Sequence, residues 1–189
     1  MRLTTLLRDL LLCILIFLFM GLIVVRMSSG PGETVSGDIR IIDGDTLAVS
    51  GVRVRIIGMD APELAQTCAR DGRPWPCGKA ARDRLTEIAG AGAVFCTLDG
   101  NDRYGRNLGT CAVGSMDLGE TMVRQGYAVA FGRYEREEAA AQNEGLGLWS
   151  GTFERPRTWR ETHGGMTEAP HIAGDWMTWL WSRIWHDGD

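Results

Sequence analysis

The stretch that decides the fold runs from residue 39 to residue 57 and reads IRIIDGDTLAVSGVRVRII. β-Branched and apolar residues dominate this stretch, and turn-forming residues interrupt it at 43–45 and at 50–51. In its last segment, alternation places the valines on one face and Arg53 and Arg55 on the other, so one face can join a core and the other can meet a ligand. The pattern predicts three short antiparallel strands, at 39–42, 46–49 and 52–57.

Farther along the chain, β-branched and apolar runs at 93–98 and 107–113 predict a strand pair joined by a polar loop. Amphipathic spacing and capping residues predict three helices, over 81–89, 117–125 and 134–146. The resulting order is three strands, a helix, two strands and further helices. This order predicts an α+β protein with an OB-fold, a five-stranded Greek-key β-barrel with about three α-helices.

The amino-terminal segment differs in composition from the rest of the chain. Residues 10–25 carry no charge, while Arg2 and Arg8 precede them and Arg26 follows. We interpret residues 1–27 as an uncleaved signal anchor, a single transmembrane helix whose positive amino end stays in the cytoplasm. This places the remainder in the periplasm of a bacterium, tethered to the inner membrane; secretion after signal cleavage is the alternative.

The remaining chain divides into a linker at 28–33, a folded domain at 34–160 and a Trp-rich tail at 161–189. The tail places four tryptophans within residues 176–185. It is either an amphipathic helix at a membrane surface or a helix docked on the barrel, and the sequence does not distinguish the two. We expect the protein to be a monomer.

The formal net charge of −4 excludes a protein that grips polyanions by bulk positive charge. Two acidic turns offer a local alternative: 43–45 reads DGD and 60–63 reads DAPE. Each alone is an ordinary turn sequence, but together they supply hard oxygen ligands that suit calcium. The DRYGR loop at 102–106, together with Arg55, adds guanidinium groups that can clamp a phosphate.

Three motifs, IDGDT at 42–46, RIIGMDAPE at 55–63 and DRYGR at 102–106, resemble those of the staphylococcal nuclease (thermonuclease) family. The resemblance continues more weakly through 118–126 and 144–149, so it covers roughly residues 34–150. It implies a calcium-dependent nuclease that cleaves DNA, with RNA as a second candidate substrate, and leaves 3′-phosphates.

The resemblance also implies a role for each site residue. Asp45, Asp60 and the backbone carbonyl of Ala61 would bind calcium, with Asp43 in the outer shell. The family often has threonine where this chain has Ala61, but a main-chain carbonyl survives that change. Glu63 would activate or position the attacking water, and Arg55 and Arg106 would hold the phosphate. Candidate substrate-binding residues are Arg103 and Tyr104 at a neighbouring phosphate and Phe131 and Tyr134 as surfaces for base stacking.

Four of the five cysteines lie outside the amino-terminal segment. Cys96 and Cys111 fall on the two predicted strands that flank the arginine loop, and Cys68 and Cys77 bracket the loop after Glu63. Two disulfides, Cys68–Cys77 and Cys96–Cys111, are therefore expected in an oxidising compartment. A zinc site is the alternative, although the chain has no C-x-x-C pair and its histidines are distant in sequence.

Two further functions compete with the nuclease. One is a non-catalytic OB-fold module, tethered to the membrane, that binds a nucleic-acid strand or a protein without cutting. The other is an anchored scaffold whose tail contacts a partner. A binding module would be expected to lack Asp60, Glu63 or Arg106, and a scaffold leaves the acids and arginines unexplained.

Overall fold

The computed structural model describes residues 2–28, 32–102 and 104–164. The chain forms two compact units, Met1–Gly32 and Glu33–Asp189. The first unit contains helix α1 (Arg2–Ser28), which coincides with the segment interpreted as an anchor. Among the helices of the described residues, none is both long enough and apolar enough to cross a lipid bilayer.

The second unit mixes short strands with four helices and one 3-10 turn (Gly147–Ser150) in its described part. Its helices are α2 (Cys77–Ala89), α3 (Leu118–Arg124), α4 (Glu135–Glu144) and α5 (Pro156–Thr162). Its strands are β1 (Thr34–Ser36), β2 (Ile39–Ile41), β3 (Thr46–Val49), β4 (Val52–Ile56), β5 (Gly58–Asp60), β6 (Cys68–Arg70), β7 (Arg73–Trp75), β8 (Val94–Asn101), β9 (Asn107–Val113), β10 (Met116–Asp117) and β11 (Val129–Phe131).

The predicted three-strand meander is present as β2, β3 and β4, which pair in antiparallel fashion. The turn between β3 and β4 consists of Ser50 and Gly51, whose φ angles are 49° and 82°. Positive φ at both positions gives a turn whose twist matches that of the flanking strands. The meander therefore has one defined register, in which Thr46 faces Arg55.

The sheet extends through a parallel pairing that joins β4 to β9. The strand order becomes β1-β8-β9-β4-β3-β2, with β10 added beside β9. Antiparallel hairpins combined with one parallel pairing form a mixed sheet of seven strands, so the α+β class is as predicted but the predicted count of five strands was too low. Four short additions were not predicted, namely β1, β10 and the pairs β5–β11 and β6–β7. Strands of two or three residues are too short to show an alternating pattern in sequence.

The predicted faces pack as expected. Val54 and Ile56 of β4 are fully buried, and Leu85 of α2 joins them in the core. Helix α3 begins where the capping signal placed it, because the Asp117 carboxylate accepts a hydrogen bond from the backbone N–H of Glu120 at 3.0 Å. It packs against β9 and α2.

Both expected disulfides are present, Cys68–Cys77 and Cys96–Cys111. Cys96 and Cys111 face each other across β8 and β9, the strands that carry the arginine loop. Cys68 lies on β6 and Cys77 begins α2, so the Cys68–Cys77 bond ties the loop after Glu63 to a helix. With all four cysteines paired, the zinc alternative is wrong.

Replacing Cys96 and Cys111 by alanine is expected to lower the free energy of unfolding by about 3 kcal/mol, because the bond closes a 15-residue loop in the unfolded chain. Urea denaturation followed by tryptophan fluorescence measures this change. Cys13→Ala is the control, because Cys13 is exposed and unpaired. A double variant as stable as this control would contradict the prediction.

Candidate active site

One cavity of about 330 Å³ collects most of the predicted functional residues. It brings together the three expected catalytic residues, Arg55, Glu63 and Arg106. The remaining side chains of its wall are Asp43, Asp45, Arg53, Ala61, Pro62, Trp159 and Arg160, with Gly44 and Gly164. Residues distant in sequence therefore form one acidic and arginine-rich surface.

The first acidic turn owes its shape to Asp43 and Gly44. The Asp43 carboxylate accepts a hydrogen bond from the backbone N–H of Asp45 at 3.1 Å, which stabilises the turn. Gly44 packs so tightly that a Cβ there would lie 2.7 Å from the Cβ of Ala61 and 2.9 Å from that of Ala81. The turn thus rests directly on the second acidic motif and on α2.

Arg55 lies between two carboxylates at the end of β4. Its Nη1 is 2.7 Å from Asp45 Oδ2, and its Nη2 is 3.0 Å from Asp60 Oδ1. The sequence pattern had placed Arg55 on the ligand-facing side, and the structure adds that the residue is only 3% exposed. A buried guanidinium requires such partners, and the two ion pairs in turn fix its plane.

Asp60 occupies the last position of β5, which pairs with β11 so that Asp60 faces Val129. Both of its oxygens are engaged, because Oδ1 accepts from Arg55 and from Arg160 and Oδ2 accepts from Arg160. Asp60 is 1% exposed and contacts the cavity through these arginines.

The neighbouring carboxylates of Asp43 and Asp45 ionise differently. Burial, followed by the adjacent charge of Asp45, raises the pKa of Asp43 to about 7. Burial also opposes ionisation of Asp45, but the charge of Arg55 and the hydrogen bonds from Asp43, Thr46 and the Ala61 backbone together outweigh it and lower the pKa of Asp45 below its usual value. Ionisation of one carboxylate therefore opposes ionisation of the other. A hard divalent cation binds such a pair of oxygen donors and neutralises their charge.

The donor chemistry at this turn therefore fits calcium, with the carboxylates of Asp43 and Asp45 beside the backbone of Ala61. Within the described residues, no three acidic, histidine or cysteine side chains converge as a preformed cation cluster. Asp60, an expected ligand, instead makes its short contacts to arginines. The calcium ligand set stays a prediction.

The loop that carries Glu63 is held by Gln66, which sequence reasoning did not identify. The side-chain oxygen of Gln66 accepts from the backbone N–H of Glu63 at 3.2 Å, and its amide nitrogen donates to the carbonyl of Glu154 at 2.7 Å. Gly78 of α2 approaches from the other side, where an added Cβ would lie 1.8 Å from the Glu63 carbonyl oxygen. Glu63 thus sits on a constrained backbone although its side chain is 36% exposed.

Arg106 is oriented by Asp102, the first residue of its motif. Asp102 Oδ2 accepts from Arg106 Nε at 2.6 Å, and Oδ1 accepts from the backbone N–H groups of Tyr104 and Arg106. Partial burial would raise the pKa of Asp102, but these hydrogen bonds outweigh it and lower the pKa below its usual value. Asp102 therefore organises the loop and aligns the guanidinium of Arg106.

The predicted substrate-binding residues lie in different surroundings. The ring of Tyr104 is 40% exposed, and the guanidinium carbon of Arg106 lies 5.8 Å from its centroid. Phe131 is buried on β11, and the Tyr134 hydroxyl donates to Asp117 at 3.0 Å; neither residue lines the cavity. Arg103 lies outside the described residues. The substrate roles of these four residues stay predictions.

Two cavity residues come from α5, for which the sequence predicted no site. Trp159 stacks on His163 with ring centroids 4.2 Å apart. Arg160 is 4% exposed and contacts both Asp60 and Glu63. Burial alone would lower the pKa of Arg160, but the hydrogen bonds and charges of Asp60 and Glu63 together outweigh it and raise the pKa above its usual value. A seven-residue helix with little apolar periodicity gave no sequence signal for this placement.

The close approach of Gly78 to the Glu63 loop can be tested by substitution. Gly78→Ala is expected to lower the free energy of unfolding by about 1–3 kcal/mol, because the new methyl group overlaps the Glu63 carbonyl. Lys79→Ala, at the next and exposed helix position, should change it by no more than about 0.5 kcal/mol. Urea denaturation of both variants checks this, and equal midpoints would refute the packing argument.

Comparison with known proteins identifies the family of the chain. The family model described as Staphylococcal nuclease homologue matches residues 53–151. Succinoglycan biosynthesis protein ExoI of Rhizobium meliloti (strain 1021) is 33% identical over 129 residues, which cover 64% of this chain and 68% of that protein. A micrococcal nuclease of Shigella flexneri is 30% identical over 151 residues, covering 68% of this chain and 82% of that protein. An uncharacterized endonuclease of Escherichia coli O157:H7 is 32% identical over 123 residues, covering 59% of this chain and 74% of that protein.

The matched family model spans just over half of the 189 residues and includes Arg55, Glu63 and Arg106. The first acidic turn at 43–45 precedes the matched region, and α5 follows it. The family model matches more than half of the chain, and each of the three similar proteins is at least 30% identical and covered by at least two thirds, so the chain belongs to the staphylococcal nuclease homologue family.

Proposed function

We propose that this nuclease-family enzyme uses calcium to hydrolyse phosphodiester bonds of DNA, with RNA as a second candidate substrate. The observation that carries the proposal is the convergence of Arg55, Glu63 and Arg106 on one cavity beside the Asp43–Asp45 turn. Phosphodiester hydrolysis of this kind requires a bound cation and a group that stabilises charge on the phosphate oxygens. The acids can hold the cation, and the arginines can bind the phosphate.

The two arginines are suited to bind the scissile phosphate. Asp45 and Asp60 hold the guanidinium of Arg55 from two sides, and Asp102 holds that of Arg106. Pre-oriented guanidinium groups need little reorganisation when charge builds on the phosphate oxygens in the transition state. They act as electrostatic clamps, because arginine keeps its proton at any working pH.

Glu63 is suited to act on the attacking water. Its backbone is constrained by Gln66, while its carboxylate lies at the cavity wall and is partly open to solvent. A carboxylate in that position can accept a proton from a water molecule or align it for attack at phosphorus.

The proposed metal ligands are Asp45, Asp60 and the backbone carbonyl of Ala61, with Asp43 in the outer shell. Bound calcium would supply a Lewis acid that neutralises charge on the phosphate and the attacking oxygen. The support from this chain is the oxygen-only chemistry of the acidic turn and the resistance of Asp43 to ionisation beside Asp45.

A cleavage assay tests the proposal. The purified full-length chain is incubated with end-labelled single- and double-stranded DNA, in calcium or in a calcium chelator. Cleavage is expected in calcium alone, and Glu63→Gln and Arg106→Ala are each expected to lower kcat by about 100-fold or more, because each removes a group aimed at the reacting atoms. Glu87→Gln, which alters an exposed surface ion pair, should leave kcat unchanged.

Two outcomes would refute the proposal. Cleavage that persists in chelator would refute the calcium requirement. DNA that binds in a gel-shift assay but stays intact in calcium would favour the non-catalytic binding module.

We also propose that the domain works outside the cytoplasm, tethered at its amino end or released. The support is the pair of disulfides, which persist in oxidising compartments. The anchoring role of residues 1–27 remains part of this proposal.

The compartment can be tested in intact cells with a membrane-permeant thiol reagent. The cells are lysed in denaturant that contains the same reagent and no reductant, so that every free thiol of the chain is exposed to it. Cys68, Cys77, Cys96 and Cys111 are expected to carry no reagent by peptide mass spectrometry. Cys13, which is unpaired, is the internal control for labelling in the denaturant. Labelling of the four domain cysteines to the extent seen at Cys13 would place the protein in a reducing compartment.

A further inference from the structure

Arg160 contacts both acids of the second motif at once. Its Nη1 lies 2.9 Å from Asp60 Oδ1 and 2.9 Å from Glu63 Oε1, and its Nη2 lies 2.9 Å from Asp60 Oδ2. The contact with Asp60 is bidentate and uses both Nη1 and Nη2. The contact with Glu63 uses Nη1 as well. One planar guanidinium therefore fixes the relative position of two carboxylates three residues apart in sequence.

The segment that carries Arg160 is docked on the catalytic loop by contacts along its length. Thr152 and Ala69 exchange two backbone hydrogen bonds of 2.9 Å. Gln66 donates to the carbonyl of Glu154, and Pro156 is buried at the start of α5. The placement of Arg160 is thus set by a backbone path and does not depend on a lone side-chain contact.

Each charged group proposed to act at the site is held by an ion pair, and Arg160 provides the one that holds Glu63. Arg55 is held by two carboxylates and Arg106 by one, and the carboxylate of Glu63 makes its short ion pair to Arg160. A glutamate side chain that is 36% exposed has several accessible rotamers unless a partner selects one. Arg160 supplies that partner from a helix beyond the matched family region.

The charge balance of the site gives Arg160 a second effect. Four carboxylates, those of Asp43, Asp45, Asp60 and Glu63, face the two paired guanidinium groups of Arg55 and Arg160. Arg160 pairs with two of these carboxylates, Asp60 and Glu63. Removing it takes one positive charge away from them, so calcium would be held more tightly.

We propose that Arg160 is a positioning residue for the nuclease reaction: it holds the Glu63 carboxylate in its working orientation and moderates calcium affinity through Asp60. The inference rests on the proposed roles of Glu63 and Asp60. It extends the functional unit past residue 151 to include α5, which completes the site with a residue from outside the matched domain.

The same contacts are compatible with a different role, in which Arg160 blocks the cation and inhibits the enzyme. The two roles predict opposite effects on turnover. A blocking arginine, once removed, leaves kcat at saturating calcium unchanged and raises activity at low calcium. A positioning arginine, once removed, lowers kcat even when calcium saturates the site.

The test uses the full-length chain with Arg160→Gln and Arg160→Lys, and with Arg157→Gln and Arg157→Lys as matched controls. Arg157 lies on the same helix, is 49% exposed and forms an i,i+4 surface ion pair with Glu161. For each protein, DNA cleavage gives kcat and KM at saturating calcium. Titration of calcium chloride into the DNA-free protein by calorimetry gives Kd, and thermal melting monitors folding.

Arg160→Gln is expected to lower kcat by about 10- to 100-fold, as loss of a residue that orients a metal-site carboxylate does, with KM for DNA nearly unchanged. It should bind calcium roughly tenfold more tightly, because a positive charge beside Asp60 is gone. Arg160→Lys should keep the wild-type calcium Kd but regain only part of kcat, because an ammonium group lacks the planar fork. Both Arg157 variants should match the wild type.

Equal kcat at saturating calcium in the Arg160 and Arg157 variants would overturn the inference. If Arg160→Gln does not fold, the ratio of kcat between Arg160→Lys and Arg157→Lys decides, and a ratio near one overturns it. A wild-type protein that fails to cleave in calcium would refute the proposed function; in that case an unchanged calcium Kd in Arg160→Gln would overturn the inference separately.

Discussion

The arrangement of this site depends on the burial of Arg55 between Asp45 and Asp60. A guanidinium that is 3% exposed is tolerated only with charged partners, so the two acidic motifs must approach β4 from opposite sides. The register of β3 against β4 supplies Asp45, and the pairing of β5 with β11 supplies Asp60. The strand pairings that define the fold are therefore also the ones that place the site residues.

The same carboxylates serve two purposes in this arrangement. The carboxylates that orient Arg55 are also the proposed calcium ligands, so the proposed phosphate-binding and cation-binding groups are joined by hydrogen bonds. An overall negative chain can act on a polyanion because attraction is local: arginines line the cavity, and the acids beside them are suited to a cation. Net charge is a poor guide to substrate for a site of this kind.

Much of the fold and of the site was predictable because its determinants are local. The β2–β3–β4 meander shows alternation and a two-residue turn, and each main site motif lies within nine consecutive residues. Facing positions on predicted strands indicated the Cys96–Cys111 bond.

The unpredicted parts depend on long-range contacts. Strands β5 and β11 are three residues each and pair across the chain, so no period identifies them. Gln66 and Arg160 are polar residues without a motif, and their importance lies in partners 88 to 100 residues away. Sequence patterns record which faces are apolar, but they do not record which distant loop a short helix will cover.

The distance in sequence between Arg160 and its partners also has a consequence for how the enzyme is made. The contacts to Glu63 and Asp60 span 97 and 100 residues, so they cannot form until nearly the whole domain has left the ribosome or crossed into its compartment. The strands and the four disulfide-bonded cysteines all precede α5 in the chain, so they emerge before Arg160 does. A chain truncated before residue 160 would lack the ion pairs that join α5 to Asp60 and Glu63.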